Sequence, residues 1–173
     1  ITVAAAGNYG STPLVYPASE PIVISAGMTD PSDTWIGSNY GSNLDIVAPG
    51  FNIYTTMKSG GYSVISGTSF SSPLTAALVA LIFSAKPDLT PQQVTDIITS
   101  TADKVNGASS YGGYDSSGWN DHYGYGRINA GAALQKAVGS TAPLPDTVTP
   151  TISITSPSDN STVSGLVDIL ADA

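Results

Sequence analysis

Cysteine is absent from the 173-residue chain, which removes disulfides and thiol chemistry while leaving the compartment open. Charge is nearly as scarce: charged residues make up 10% of the chain, and 5 Lys and Arg face 13 Asp and Glu, for a formal net charge of −8. Such a surface repels phosphates, so nucleic acid and anionic membrane are poor partners. No apolar run approaches the ~20 residues of a membrane span. The longest, Leu74 to Ala85, is closed by Pro73 and Pro87. An acidic, weakly charged chain of this kind suits export better than the cytosol. Histidine occurs once, as His122 in Gly118-Trp119-Asn120-Asp121-His122-Tyr123-Gly124, and reads there as a solvated loop residue. The chain opens at Ile1 in what reads as mid-strand, with neither an initiator Met nor a signal peptide, and the expectation is a chain cut from a longer precursor.

What is present is a set of short apolar runs bounded by Gly, Pro, Asn and Ser. Ile1 to Ala6, Ile22 to Ala26, Leu44 to Ala48, Ile53 to Thr56 and Tyr62 to Ser66 read as strands. Helices follow. Leu74 to Ala85 is apolar nearly all round and predicts a central buried helix, with Leu74, Ala77, Leu78, Leu81 and Ile82 on one face. Thr90-Pro91-Gln92-Gln93 supplies an N-cap, a first-position proline and a capping-box glutamine for a helix that buries Val94, Ile97 and Ile98. Asn129 caps a third helix, Ala130 to Val138, ended by Gly139. The domain reading is an α/β portion over 1–138, a Pro-rich linker over 139–150 and a β-rich segment over 151–173. In the last, Thr151 to Thr155 alternates at period two, and Val163, Leu166, Val167 and Ile169 predict one or two more strands. A truncated immunoglobulin-like module and a disordered tail both fit it. Asn160-Ser161-Thr162 matches a glycosylation sequon.

Two residues stand at positions suited to chemistry. Ser69, in Gly67-Thr68-Ser69-Phe70-Ser71-Ser72-Pro73, falls where a loop turns into the apolar helix, so unpaired N–H groups and the positive dipole end face it. Pro73 predicts a helix whose first turn contains it. The same serine also reads as an ordinary N-cap. Asn8 ends the strand Ile1 to Ala6 at its carboxyl edge, where open α/β sheets bind ligands and where an amide can donate to a developing negative charge. Asp30, Asp33, Asp88 and Asp96 occupy turn and helix-start positions, for which a turn or capping role is the default.

Taken together, Ala5-Ala6-Gly7-Asn8, Tyr16-Pro17-Ala18, Asp45-Ile46-Val47-Ala48-Pro49-Gly50, Gly67-Thr68-Ser69 with Pro73, and Gly124-Tyr125-Gly126-Arg127-Ile128-Asn129 stand in the order and spacing of a known family. Over residues 1 to about 138 the chain resembles the subtilisin-like serine proteases of the peptidase S8 type. The resemblance implies an α/β fold, the C-terminal portion of a three-layer subtilisin-like domain built on a mainly parallel sheet. It implies a serine endopeptidase acting on polypeptide substrates, secreted or associated with the cell surface, with no cofactor for catalysis. The family's triad runs Asp, His, Ser, so both acid and base precede the nucleophile and would lie upstream of Ile1. His122, after Ser69, is on the wrong side to be that base.

Residue by residue, the resemblance makes Ser69 the nucleophile, Asn8 the side-chain oxyanion donor and Thr68 a hydroxyl behind Asn8. Ala5, Ala6 and Gly7 resemble one wall of the primary specificity pocket, Tyr16-Pro17-Ala18 the opposite wall, and Val15 its floor. Asp45, with carbonyls near Ala18, Glu20 and Val23, resembles a weak structural site for calcium or a monovalent cation; a solvated carboxylate is the other reading. The implied partner is the missing N-terminal portion of the domain. The alternative function is a non-catalytic protease homologue kept for binding. An α/β-hydrolase esterase is disfavoured, because Gly67-Thr68-Ser69-Phe70-Ser71 lacks the second glycine of the Gly-x-Ser-x-Gly elbow.

Overall fold

The computed structural model describes residues 1–139, the strand Ser153–Ser156 and the strand Leu170–Asp172. Three short strands, β1 (Thr2–Ala5), β2 (Val23–Thr29) and β3 (Ile46–Pro49), form a parallel sheet in the order β1-β2-β3. Thr2 pairs with Val23, and Ala26 with Ile46. The middle strand is buried along its whole length, which explains why its sequence shows no alternation. It also runs past the expected Ala26 to Thr29, because Gly27, Met28 and Thr29 find partners in Val47, Ala48 and Pro49. β3 starts at Ile46 and not at Leu44, whose N–H is taken by the turn carbonyl of Gly41 at 3.0 Å. An antiparallel hairpin, β4 (Ile53–Thr56) and β5 (Tyr62–Ile65), leads into the first helix.

Helices cover one sheet face. α1 (Thr68–Ala85), α2 (Pro91–Thr101) and α3 (Ala130–Val138) bring Leu78, Val79, Ile82, Val94, Ile97, Ile98 and Ala133 onto Ile24, Ala26 and Ile46. The opposite face carries a second core of Ala4, Ala6, Leu14, Val23, Val47, Val105 and Tyr123. Side chains at alternate positions of β2 thus feed two cores, and the result is a three-layer α/β arrangement.

α2 follows its capping signals. Thr90 accepts from the Gln93 N–H, the Gln93 side chain accepts from the Thr90 N–H at 2.7 Å, and Val94, Ile97 and Ile98 are buried. α3 is capped by Asn129, whose side chain accepts from the Ala132 N–H at 2.9 Å, and ends at Gly139 with φ 70°.

α1 departs from expectation twice. It begins at Thr68, so Ser69 is its second residue and Pro73 lies in the helix interior, beyond the first turn. The proline removes the donor that the Ser69 carbonyl would otherwise receive four residues on. The helix is also buried on one side only. Thr68, Ser71, Thr75, Leu78, Val79 and Ile82 face the sheet, while Leu74 and Leu81 are 44% and 49% exposed. α1 is the one helix among the described residues long and apolar enough to cross a membrane, and its packed stripe marks it as a core helix.

Contacts divide the chain into one unit over Ile1–Pro143 and another over Leu144–Ala173. In the second, β6 (Ser153–Ser156) pairs antiparallel with β7 (Leu170–Asp172), with a register shift between Ile154 and Ser156. The expected linker, the strands anticipated from Val163 to Ile169 and the sequon at Asn160 lie outside the described residues.

Candidate active site

β1 and α1 converge at their adjoining ends. Past β1, Ala6 and Gly7 continue the chain to Asn8, whose exposed side chain meets the start of α1. The Thr68 N–H donates to Asn8 Oδ1 at 2.8 Å and the Thr68 hydroxyl donates to the same oxygen at 2.9 Å. The Gly7 N–H in turn donates to Thr68 Oγ1 at 3.3 Å. A backbone N–H can only donate, so these bonds fix which end of the Asn8 amide is oxygen. Its Nδ2 then points away with no acceptor among the described residues.

Ser69 is exposed, and its hydroxyl makes no hydrogen bond to the described residues. Of the first three N–H groups of α1, Thr68's is taken by Asn8 and Phe70's by the Gly67 carbonyl at 3.1 Å. Ser69's has no partner among the described residues. The helix start is fastened to the sheet by Ser71, which donates to the carbonyls of Ala48 at 3.0 Å and Pro49 at 3.3 Å. Gly50 permits that approach: a Cβ there would lie 2.5 Å from both Met28 Cβ and Ser71 Oγ.

Val15 and the Ala5-Ala6-Gly7 segment are brought together. The Val15 N–H donates to the Ala6 carbonyl at 3.0 Å, and a Cβ on Gly7 would stand 2.9 Å from Val15 Cγ1. With φ 112° as well, Gly7 admits no other residue without strain. Ala18 is buried beyond Tyr16 and Pro17.

Asp45 is engaged differently from a solvated carboxylate. Its Oδ2 accepts from the Ser25 N–H at 2.8 Å and the Ser25 hydroxyl at 2.9 Å. Burial pushes its carboxyl up from the ordinary value, against the pull of these bonds. Val23 shares a cavity of about 220 Å³ with Asp45, but Ala18 and Glu20 do not line it. The Glu20 carbonyl accepts from the Val23 N–H at 3.0 Å. Among the described residues no three His, Asp or Glu side chains cluster as metal ligands.

His122 overturns its assignment as a solvated residue. Its ring is stacked between Tyr40 and Tyr111, with centroids 4.0 Å away on each side, and meets Trp35 edge-on at 4.9 Å. The side chain is 12% exposed, with Nδ1 2.6 Å from Asp121 Oδ1. A small loop of Gly, Asn and Asp gives no hint of aromatic partners that come from distant segments. Asp33 stands in a turn as expected, its N–H donating to the Asp30 carbonyl at 3.0 Å, and its side chain reaches further. Both its oxygens accept from Arg127 Nη1, at 2.8 and 2.7 Å, while Arg127 Nη2 donates to Asp103 at 2.8 Å. Asp30 does cap its turn, accepting from the N–H groups of Ser32 and Thr34 at 2.8 Å.

The subtilase family model, peptidase S8, matches residues 1–126. The chain belongs to the subtilase family. Among the family's curated members, a cell wall-associated protease of Bacillus subtilis (strain 168) is 38% identical over 154 residues, covering 79% of this chain and 17% of that protein. Subtilisin DY of Bacillus licheniformis is 38% identical over 140 residues, covering 78% of this chain and 47% of its own length. The solved structure of the patellamide maturation protease PatA superposes with a TM-score of 0.66 at 31% identity, over 80% of this chain and 51% of that one. This subtilase chain therefore spans about half or less of the length of these relatives.

One buried residue beside the candidate site has no counterpart in the sequence reading. Asn39 is 3% exposed and lies against Gly7, within Gly37-Ser38-Asn39-Tyr40-Gly41, a stretch to which the sequence reading assigns nothing. Ser69 and Asn8 are both exposed at the surface.

Proposed function

We propose that this chain supplies the nucleophile and oxyanion-binding part of a secreted serine endopeptidase. The supporting observation is the Asn8 amide, held by its oxygen on Thr68, the residue before Ser69, so that its N–H groups, like the N–H and hydroxyl of Ser69, have no partner among the described residues. In the proposed chemistry, Ser69 Oγ attacks the scissile carbonyl carbon. Its proton passes to a histidine contributed by the portion of the domain outside this chain, and that histidine later delivers it to the leaving amine. The carbonyl oxygen gathers negative charge and receives hydrogen bonds from Asn8 Nδ2 and the Ser69 N–H. Thr68 holds Asn8 in place. Water then hydrolyses the acyl-Ser69 ester.

The alanines and Gly7 with Val15 form the proposed P1 pocket. No cofactor enters this chemistry. Asp45 with the carbonyls of Ala18, Glu20 and Val23 is kept as a proposed structural cation site, supported by the family motif alone, and an immunoglobulin-like role for the C-terminal segment is a proposal on the same footing. Export is supported by the low charge of the chain and by a relative named as cell wall-associated.

The deciding experiment uses the complete protein. A fluorophosphonate probe should label Ser69 stoichiometrically, and Ser69→Ala should abolish both labelling and peptide hydrolysis while leaving the thermal midpoint within a few degrees. The 173-residue chain alone should stay unlabelled. A complete protein that resists labelling yet binds polypeptide would instead be a non-catalytic homologue.

A further inference from the structure

We infer that Asn39 is a positioning residue that sets both the oxyanion donor and the pocket wall, an inference that rests on the proposed roles of Asn8 and Val15. Its bonds bracket Asn8. The Asn39 N–H donates to the Gly7 carbonyl at 2.8 Å, and Asn39 Oδ1 accepts from the Tyr9 N–H at 2.8 Å. The residues on either side of Asn8 are therefore tied to one buried side chain and its own backbone. The third bond reaches across the pocket, because Asn39 Nδ2 donates to the Pro13 carbonyl at 2.8 Å, two residues before Val15.

Among the described residues, no other side chain hydrogen-bonds to both of these segments. The Gly7–Gly10 stretch has no regular strand partner here, and the remaining links to 37–40 are backbone bonds from Gly10 to Gly37 at 2.9 Å and from Tyr40 to Ser11 at 3.2 Å. Asn39 fills both amide roles at once: one acceptor and one donor, aimed at two different loops. Neither an apolar nor a carboxylate side chain of similar size reproduces that pair. Close packing leaves it no freedom to compensate, since a Cβ on Gly7 would fall 2.9 Å from Asn39 Cγ. Removing the bridge frees the Asn8 backbone to shift, and displacement on the order of 1 Å at a reacting group costs about 100-fold in rate.

The test is a double-mutant cycle in the complete enzyme, which separates action through Asn8 from general loosening. Asn8→Ala alone should lower kcat with little change in KM, by about the 100- to 1,000-fold that loss of the oxyanion donor carries in subtilisin itself. Asn39→Leu alone should lower kcat by about 10- to 100-fold. In the Asn8→Ala background, the further loss from Asn39→Leu should shrink below roughly threefold, since the donor it positions is gone. Asn39→Ser, too short for either side-chain bond, serves if the leucine variant does not fold. Equal fold-losses in both backgrounds would overturn the inference. Ser69 labelling in each variant keeps the two levels apart: if Ser69→Ala retains activity the active-site reading fails, whereas labelled but additive variants sink only the role of Asn39.

Discussion

Val15 is where a single side chain should decide what the enzyme cuts. It is branched, uncharged and packed beside Gly7, so it takes volume from the proposed pocket. Small or medium apolar P1 residues should be favoured over Phe, Tyr, Lys or Arg, with each methylene of misfit worth about 1–3 kcal/mol. A P1 scan on the complete enzyme checks this: Val15→Gly should shift the ranking towards large side chains, and an unchanged ranking would remove Val15 from the pocket. At this scale the sequence was legible in part. Asn8, Thr68 and Ser69 could be named because motifs in chain order carry them. Asn39, the His122 stack and the Asp33–Arg127 pair could not, since each depends on a neighbour far away in the chain. The Arg127 guanidinium and Asp33 are 94 positions apart, and the Trp35 N–H donates to Tyr123 Oη across 88.

Local signals served better at the scale of elements, because caps are written within four residues. Thr90→Ala removes one half of the α2 capping box and should cost about 1 kcal/mol of stability without touching kcat/KM, measurable by denaturant titration. α3 is held less locally. Asn129 Nδ2 donates to Asp103 Oδ1 at 2.9 Å, so the cap of α3 is itself oriented by a residue just past α2. The Asn129 amide, and then Arg127, hold the Asp103 carboxyl below its usual value. A depressed carboxylate contributes stability above its unfolded-state pKa of about 3.9 and loses it as pH falls through the lower folded-state value. The midpoint of thermal unfolding should therefore fall in the acid range below about pH 4, and Asp103→Asn should flatten that acid limb. An unaltered acid limb would show that Asp103 does not contribute to it. The strands were legible from their apolar runs, but the ends of β2 and β3 were not, because pairing decides where each strand stops.

For the whole molecule, the exposed side of α1 is the feature that length and composition misjudged. Apolarity all round reads as burial all round, whereas Leu74, Ala77 and Leu81 line an open groove of about 610 Å³ with Pro49, Ile128 and Ala130. The relatives carry about as much sequence again or more outside the part this chain matches. The isolated chain should bind a hydrophobic dye, melt without a sharp transition and aggregate. Adding the remaining portion of the catalytic domain should restore a cooperative melt. A soluble monomer with a sharp transition on its own would show that the groove needs no cover.

The manner in which α1 begins has a mechanical outcome. Pro73 deprives the Ser69 carbonyl of its helical donor, the Thr68 N–H is spent on Asn8, and Ser71 hangs from the end of β3. The turn that carries Ser69 is thus moored to the sheet by side-chain hydroxyl and amide bonds more than by its own helical ladder. Fraying of the far end of α1 need not travel back to Ser69, whereas a slip of β3 by a fraction of an ångström would carry the serine with it. Tolerance to substitution should follow the same division: forgiving along the distal turns, strict at Gly50 and Ser71, which pack the helix start onto the sheet.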